Sequence, residues 1–257
     1  MDPRKYPTYP DLAGKVAFVT GGSRGIGATT CRLLAANGVR VAVNGRDQAS
    51  IDAVVDAIRA AGGEAVSVPA NCTNRDALAS ARDVVERQLG PVELLVAFAG
   101  GGGEPTPFVQ LTEEKWRAVV DGNLTATFLT IQTFAPAMIE RKRGAIVTMS
   151  SSAGRLPGLA SPPYAASKAA VVMLTGHLAL EFARSGIRVN CIAPSAIVTD
   201  RLAKMPPDKL RELAASFPLG RLGTPEDVAL ATLFLVSDSS SWVTGVTLDV
   251  SGGRIIV

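Results

Sequence analysis

Tyr164 and Lys168 stand one helical turn apart in the run YAASK, with Ala165, Ala166 and Ser167 between them. Residues at i and i+4 share one face of a helix. A phenol titrates at about pH 10 and exchanges its proton poorly at neutrality. A cation held beside it favours the phenolate. The pair can therefore act as general acid and base, provided that a cofactor and a substrate lie within reach. An isolated pair of this kind is ordinarily a packed ring and a solvated amine, so the rest of the chain must supply the cofactor.

The supplier is TGGSRGIG at residues 20–27, which follows a strand candidate at 15–20 and opens a helical run at 26–37. Gly21, Ser23, Arg24, Gly25, Ile26 and Gly27 form a loop whose backbone can approach a pyrophosphate at a positive helix N-terminus. The next strand candidate, 40–44, decides which dinucleotide. NAD sites usually carry an acidic residue there for the ribose hydroxyls. Here Gly45 stands in that place, Arg46 follows it, and Arg24 lies inside the loop. Two guanidiniums without a carboxylate suit an extra phosphate, which Arg holds as a bidentate fork. NADP(H) is thus expected over NAD(H), and the neighbouring Asp47 tempers that expectation.

The elements that must position these residues alternate along the chain. Apolar runs at 65–69, 94–97, 145–149, 188–193 and 243–250 are further strand candidates. Helical patterns fill 48–61, 75–89, 112–141, 164–185 and 225–236, the last capped by Thr224 and started by Pro225. Near-continuous apolar strands imply a parallel sheet covered on both faces. The expectation is one doubly wound α/β domain over 14–257, with seven parallel strands and helices on both sides, after an irregular lead-in at 1–13. Ligands of such sheets bind beyond the carboxyl ends of the strands. The long segment 196–219, with Ile197, Leu202, Met205 and Phe217 among charges, reads as a substrate lid.

Bulk properties exclude several function classes. The 257 residues are 47% hydrophobic and 19% charged, enough for a sizeable core. A net charge of +3, scattered along the chain, gives no case for nucleic acid. The densest basic run, Arg141-Lys142-Arg143, falls at a helix end, where cations complement the dipole. It also leaves an acidic carrier protein open as a partner. Cys31, Cys72 and Cys191 lack metal-ligand spacing and suit free thiols in a reducing cytoplasm. His177 is the single histidine and reads as structural, which argues against a Ser-His triad and a His-rich metal site. MDPRKYPTYP resembles neither a signal peptide nor an anchor, and no stretch suits a bilayer span. The apolar end, Ile255-Ile256-Val257, should cover the core or meet another subunit.

Taken together, TGGSRGIG, Asn123, SSSAG at 150–154 and YAASK resemble the short-chain dehydrogenase/reductase family over residues 14–253. PLGRLGTPEDVA at 218–229 and VTGVTLDVSGG at 243–253 are similar to its 3-oxoacyl-acyl-carrier-protein reductase branch. The resemblance implies a Rossmann-type fold and a set of roles. Tyr164 would protonate the carbonyl oxygen. Lys168 would hold the nicotinamide ribose and tune Tyr164. Ser151 would bond the same oxygen, and Asn123 would hold a water linking Lys168 to solvent. Asn71, Ala99, Gly100, Pro194, Ile197 and Thr199 would join the glycine loop, Tyr164 and Lys168 around the cofactor.

Three departures stand out. Ala97-Phe98-Ala99-Gly100 replaces the family's Asn-Asn-Ala-Gly, Asn71 replaces an Asp, and Ser195 replaces the Gly after Pro194. The resemblance implies an NADPH-dependent ketone reductase working as a homotetramer. An NAD-linked alcohol dehydrogenase and a nucleotide-binding sensor without turnover remain as rivals.

Overall fold

Runs of four to eight mostly apolar residues form the strands: β1 Val16–Thr20, β2 Arg40–Gly45, β3 Ala65–Pro69, β4 Leu94–Ala97, β5 Gly144–Met149, β6 Ile187–Pro194 and β7 Thr247–Val250. The computed structural model describes residues 6–103, 106–158, 160–200 and 202–256; the start of the lead-in, Glu104-Pro105 and Val257 lie outside them. All seven strands pair in parallel, in the order β3-β2-β1-β4-β5-β6-β7. The chain winds outward one way from β1 and then the other way from β4. That reversal opens a crevice beyond the carboxyl ends of these two strands.

The helices are α1 Gly25–Ala36, α2 Gln48–Ala60, α3 Arg75–Gln88, α4 Glu113–Val120, α5 Ala126–Arg141, α6 Pro162–Phe182, α7 Pro207–Ala215 and α8 Pro225–Val236. Alternate residues of each strand point to opposite faces, so the sheet builds two cores. Ala17 and Val19 join Leu33, Val54 and Leu233 on one side. Val16 and Phe18 join Leu78, Phe134 and Phe182 on the other, with the Phe18 and Phe134 rings stacked at 4.4 Å. Among the described residues no helix is long and apolar enough to cross a membrane.

Four features differ from the pattern read off the sequence. The helix expected over 112–141 is α4 and α5 joined by a π turn, Asp121–Thr125. There the Asn123 side chain bonds the Val119 carbonyl and breaks the regular ladder. The segment 196–219 contains α7, a short helix with no buried residue, begun by Pro207. Residues 243–246 form a loop rather than the start of β7, because Asn190 bonds the Val243 carbonyl and the Val246 amide. His177 is exposed on α6. At the chain end Ile255 is buried and Ile256 is exposed.

Candidate active site

A cleft of about 1240 Å³ lies over the carboxyl ends of the central strands, floored by Gly21, Gly25, Phe98, Ala99 and Met149. The start of α1 opens into it. Asp47 caps α2, Asn74 caps α3, and Thr224 with Asp227 forms a capping box on α8. Arg24, at the head of α1, makes no such bond among the described residues. The first amides of α1 are thus left for an anion. A side chain at Gly27 would strike the Gly21 carbonyl, so the loop lies directly on the helix. Thr199, from the segment after β6, lies 3.2 Å from where a Gly25 side chain would start. This glycine-lined cradle fits a dinucleotide.

One end of the cleft is charged. Arg24 and Arg46 are exposed at its rim, beside Asp47 and Asn71. A Cβ at Gly45 would sit 3.0 Å from Ser23 Oγ and 3.2 Å from Ile51 Cγ1, so a side chain there would push both neighbours by a few tenths of an ångström. Asp47 is already engaged: it accepts from the Ser50 amide at 2.9 Å and from the Ser50 hydroxyl. Those bonds, with the Arg24 charge, hold its carboxyl below the usual range. Asn71 Oδ1 accepts from the Thr73 amide at 3.1 Å and from its hydroxyl at 3.0 Å.

Asn44 was not singled out in the sequence, yet it organises this end. Its buried Nδ2 donates to the Val68 and Ala70 carbonyls, its Oδ1 accepts from the Cys72 thiol, and its backbone carbonyl accepts from Gly22. A polar residue inside an otherwise apolar strand, VAVNG, was the available signal. Burial pushes the Cys72 thiol up to about 11.

Behind Met149 and Gly100 of the cleft wall, α6 brings in Lys168, buried, with Nζ donating to the Met149 carbonyl at 2.8 Å. The same ammonium stands 5.6 Å from the centre of the Tyr164 ring. Burial, opposed by the neighbouring Cys191, brings the amine down to about 8. Ser151 heads the short turn Ser152–Gly154, and its Oγ accepts from the Ala153 amide at 3.2 Å. Gly100 separates Asn123 from Lys168: a Cβ there would strike Asn123 Oδ1 and lie 3.2 Å from Lys168 Nζ. Its φ of 151° also favours glycine.

Asn123 grips the adjacent residue, accepting from the Gly101 amide at 3.1 Å and donating to its carbonyl at 2.9 Å. Its own carbonyl accepts from the Thr127 hydroxyl. The departure at 97–100 is accommodated by packing, since Phe98 is buried in the core on the α1 side and the Ala99 amide donates to Thr20 Oγ1 at 3.0 Å.

Residues 15–210 match the short chain dehydrogenase family. The chain belongs to that family. It is 38% identical over 246 residues to the 3-oxoacyl-[acyl-carrier-protein] reductase FabG of Thermotoga maritima, covering 95% of this chain and 99% of that protein. It is 40% identical over 246 residues to the cis-4-hydroxycyclohexanecarboxylate dehydrogenase of Sinomonas cyclohexanicum, covering 96% and 98%. The crystal structure of a 3-oxoacyl-[acyl-carrier protein] reductase with bound NAD from Brucella melitensis superposes with a TM-score of 0.90 at 33% identity, covering 97% and 94%.

As a short-chain dehydrogenase, the protein is an oxidoreductase acting at an alcohol or carbonyl group. The remaining predicted site residues lie beyond β6. Pro194 is buried where β6 ends. Ile197 is buried with its side chain on a second cavity of about 370 Å³, which Phe217, Leu248 and Asp249 also line. The basic run follows α5 at the opposite end of the strands, where Arg141 bonds the Val92 carbonyl and Arg143 pairs with Glu93. β5 separates it from the cleft by roughly 20 Å.

Proposed function

We propose that the protein reduces a ketone to a secondary alcohol with NADPH, Tyr164 acting as the proton donor. The observation that carries the cofactor preference is Gly45, which offers no carboxylate at the end of β2 while Arg24 and Arg46 border the same cleft. A nicotinamide nucleotide bound there supplies two electrons to the carbonyl carbon.

This chain's residues do the rest. Residues 21–27 cradle the pyrophosphate, and Arg24 and Arg46 take the extra phosphate. Asn71 meets the adenine. Ala99, Gly100 and Thr199 border the nicotinamide half, while Pro194 and Ile197 carry the chain from β6 to Thr199 without lining the cleft themselves. Lys168 holds the ribose, and its charge favours the ionised Tyr164. The Tyr164 hydroxyl gives its proton to the carbonyl oxygen, and the Ser151 hydroxyl donates to the same atom as charge develops. Asn123 acts on the loop: by gripping Gly101 it keeps Gly100 against Lys168. Residues 196–219, with α7, close over the substrate as a lid on a single domain spanning 14–257.

Dissociation constants for NADPH and NADH test the preference, and equal or tighter NADH binding defeats it. NADPH consumption against 3-oxo esters, 3-oxo thioesters, cyclic ketones, steroids and sugars identifies the substrate class. An NAD-linked alcohol dehydrogenase is the second reading, favoured by Asp47 at the rim and by the NAD bound to the Brucella melitensis relative. Met173 and Leu180 leave apolar surface exposed on α6. That surface supports the homotetramer, which light scattering tests.

A further inference from the structure

The turn that carries Ser151 is tied to the edge of the sheet by an ion pair that the proposed chemistry does not use. Arg155 directly follows Ser152–Gly154, and its guanidinium forks onto Asp249 of β7. Nε donates to Oδ1 at 3.2 Å and Nη2 to Oδ2 at 3.1 Å. The two side chains keep only 20% and 13% of their exposure. A bidentate pair fixes orientation as well as separation. β6 lies between β5, which leads into the turn, and β7, which carries Asp249, so the pair joins the turn to the edge of the sheet. A weaker tie runs parallel to it, with Ser152 Oγ donating to Ser195 Oγ at 3.2 Å.

The inner side of the turn is held differently. A Cβ at Gly154 would lie 2.6 Å from the Lys168 carbonyl carbon, so the turn is wedged against α6. Ser150 Oγ donates to the Lys168 carbonyl at 2.7 Å. Ser151 has no such anchor of its own, for its hydroxyl oxygen accepts only the local Ala153 amide among the described residues.

We propose that Arg155, anchored by Asp249, is a positioning residue that sets where the Ser151 hydroxyl stands relative to Tyr164. The inference rests on the role proposed above for Ser151. Without the fork the outer side of the turn keeps only the weaker Ser152–Ser195 bond, while α6 and the glycine loop keep their own contacts. A misplacement of about 1 Å in such a donor can cost about 10²-fold in rate.

The test compares Arg155→Met, Asp249→Asn, Ser151→Ala and the double variant Arg155→Met/Ser151→Ala, using NADPH and the fastest ketone of the panel above. Arg155→Met and Asp249→Asn should each lower kcat about 10- to 100-fold and leave the NADPH dissociation constant within about twofold. In the Ser151→Ala background, Arg155→Met should change kcat by less than about twofold, because the group it positions is gone. Persistence of the full factor in that background overturns the inference. So does an unchanged kcat in Arg155→Met, or a parallel loss of NADPH affinity. Should Arg155→Met fail to fold, Arg155→Lys keeps the charge without the fork and must show the same non-additivity; an additive loss there is equally decisive. A Ser151→Ala variant with wild-type turnover would instead remove the role of Ser151, and this inference with it.

Discussion

Two cations are drawn into the molecule at opposite ends of the sheet, and they are treated in opposite ways. Arg188, near the start of β6, is held on several sides: its guanidinium donates to the Leu235 and Ser237 carbonyls and to Ser240 Oγ. Burial lowers its pKa, and the charges of Asp238 and Asp11 oppose that. Lys168, at the carboxyl end of β5, has the Met149 carbonyl and the Tyr164 ring, and no carboxylate pairs with it among the described residues. The lower cation is a clamp between β6 and the segment after α8. The upper one has donor capacity with no partner among the described residues, which is what the proposed ribose contact requires.

The sharpest way to break this contrast is to remove the upper charge. Lys168→Met should lower turnover at least about 10²-fold and yet stabilise the protein at pH 7. The displacement of its amine from 10.5 to about 8 corresponds to about 3 kcal/mol. The folded amine loses its proton before the unfolded one does. The penalty is therefore complete below about pH 8 and relieved as pH rises toward 10.5, so wild-type stability should gain on the variant across that window. Urea midpoints at several pH values check it. Removing the lower charge should do the reverse: Arg188→Met should cost about 2–3 kcal/mol of stability and leave kcat unchanged.

Smaller effects sharpen the picture at the cofactor end. Arg46→Ala should weaken NADPH about 10- to 100-fold in a fluorescence titration and leave NADH unaffected, the loss of a charge-assisted contact to one phosphate. Smallest is the pH response. The kcat/KM for ketone reduction should decline above about pH 8, where Lys168 loses its charge. A profile flat through pH 9 would detach the lysine from the chemistry.

Much of the fold could be read from the chain because its strands are continuous apolar runs and its helices mostly carry local stop and start signals. The Tyr164–Lys168 pair was legible for the same reason, since helical spacing is a local property. What stayed hidden depends on contacts far apart in sequence. The π turn in the helix expected over 112–141 follows from the bonds of Asn123 to Val119 and, 22 residues away, to Gly101. The loop at 243–246 exists because Asn190 takes its backbone groups. The missing acid at position 45 was visible, but the close packing of Ser23 against that position was not. Arg155 and Asp249 lie 94 residues apart, and no pattern along the chain links them.

The account depends on proton donation by Tyr164 under the charge of Lys168. The most direct test is Tyr164→Phe, with NADPH binding and ketone turnover measured on the same preparation. The account predicts an NADPH dissociation constant within about threefold of wild type and turnover reduced by about 10²–10⁴ or more. Turnover near the wild-type rate, or a loss that merely tracks weaker NADPH binding, would contradict it.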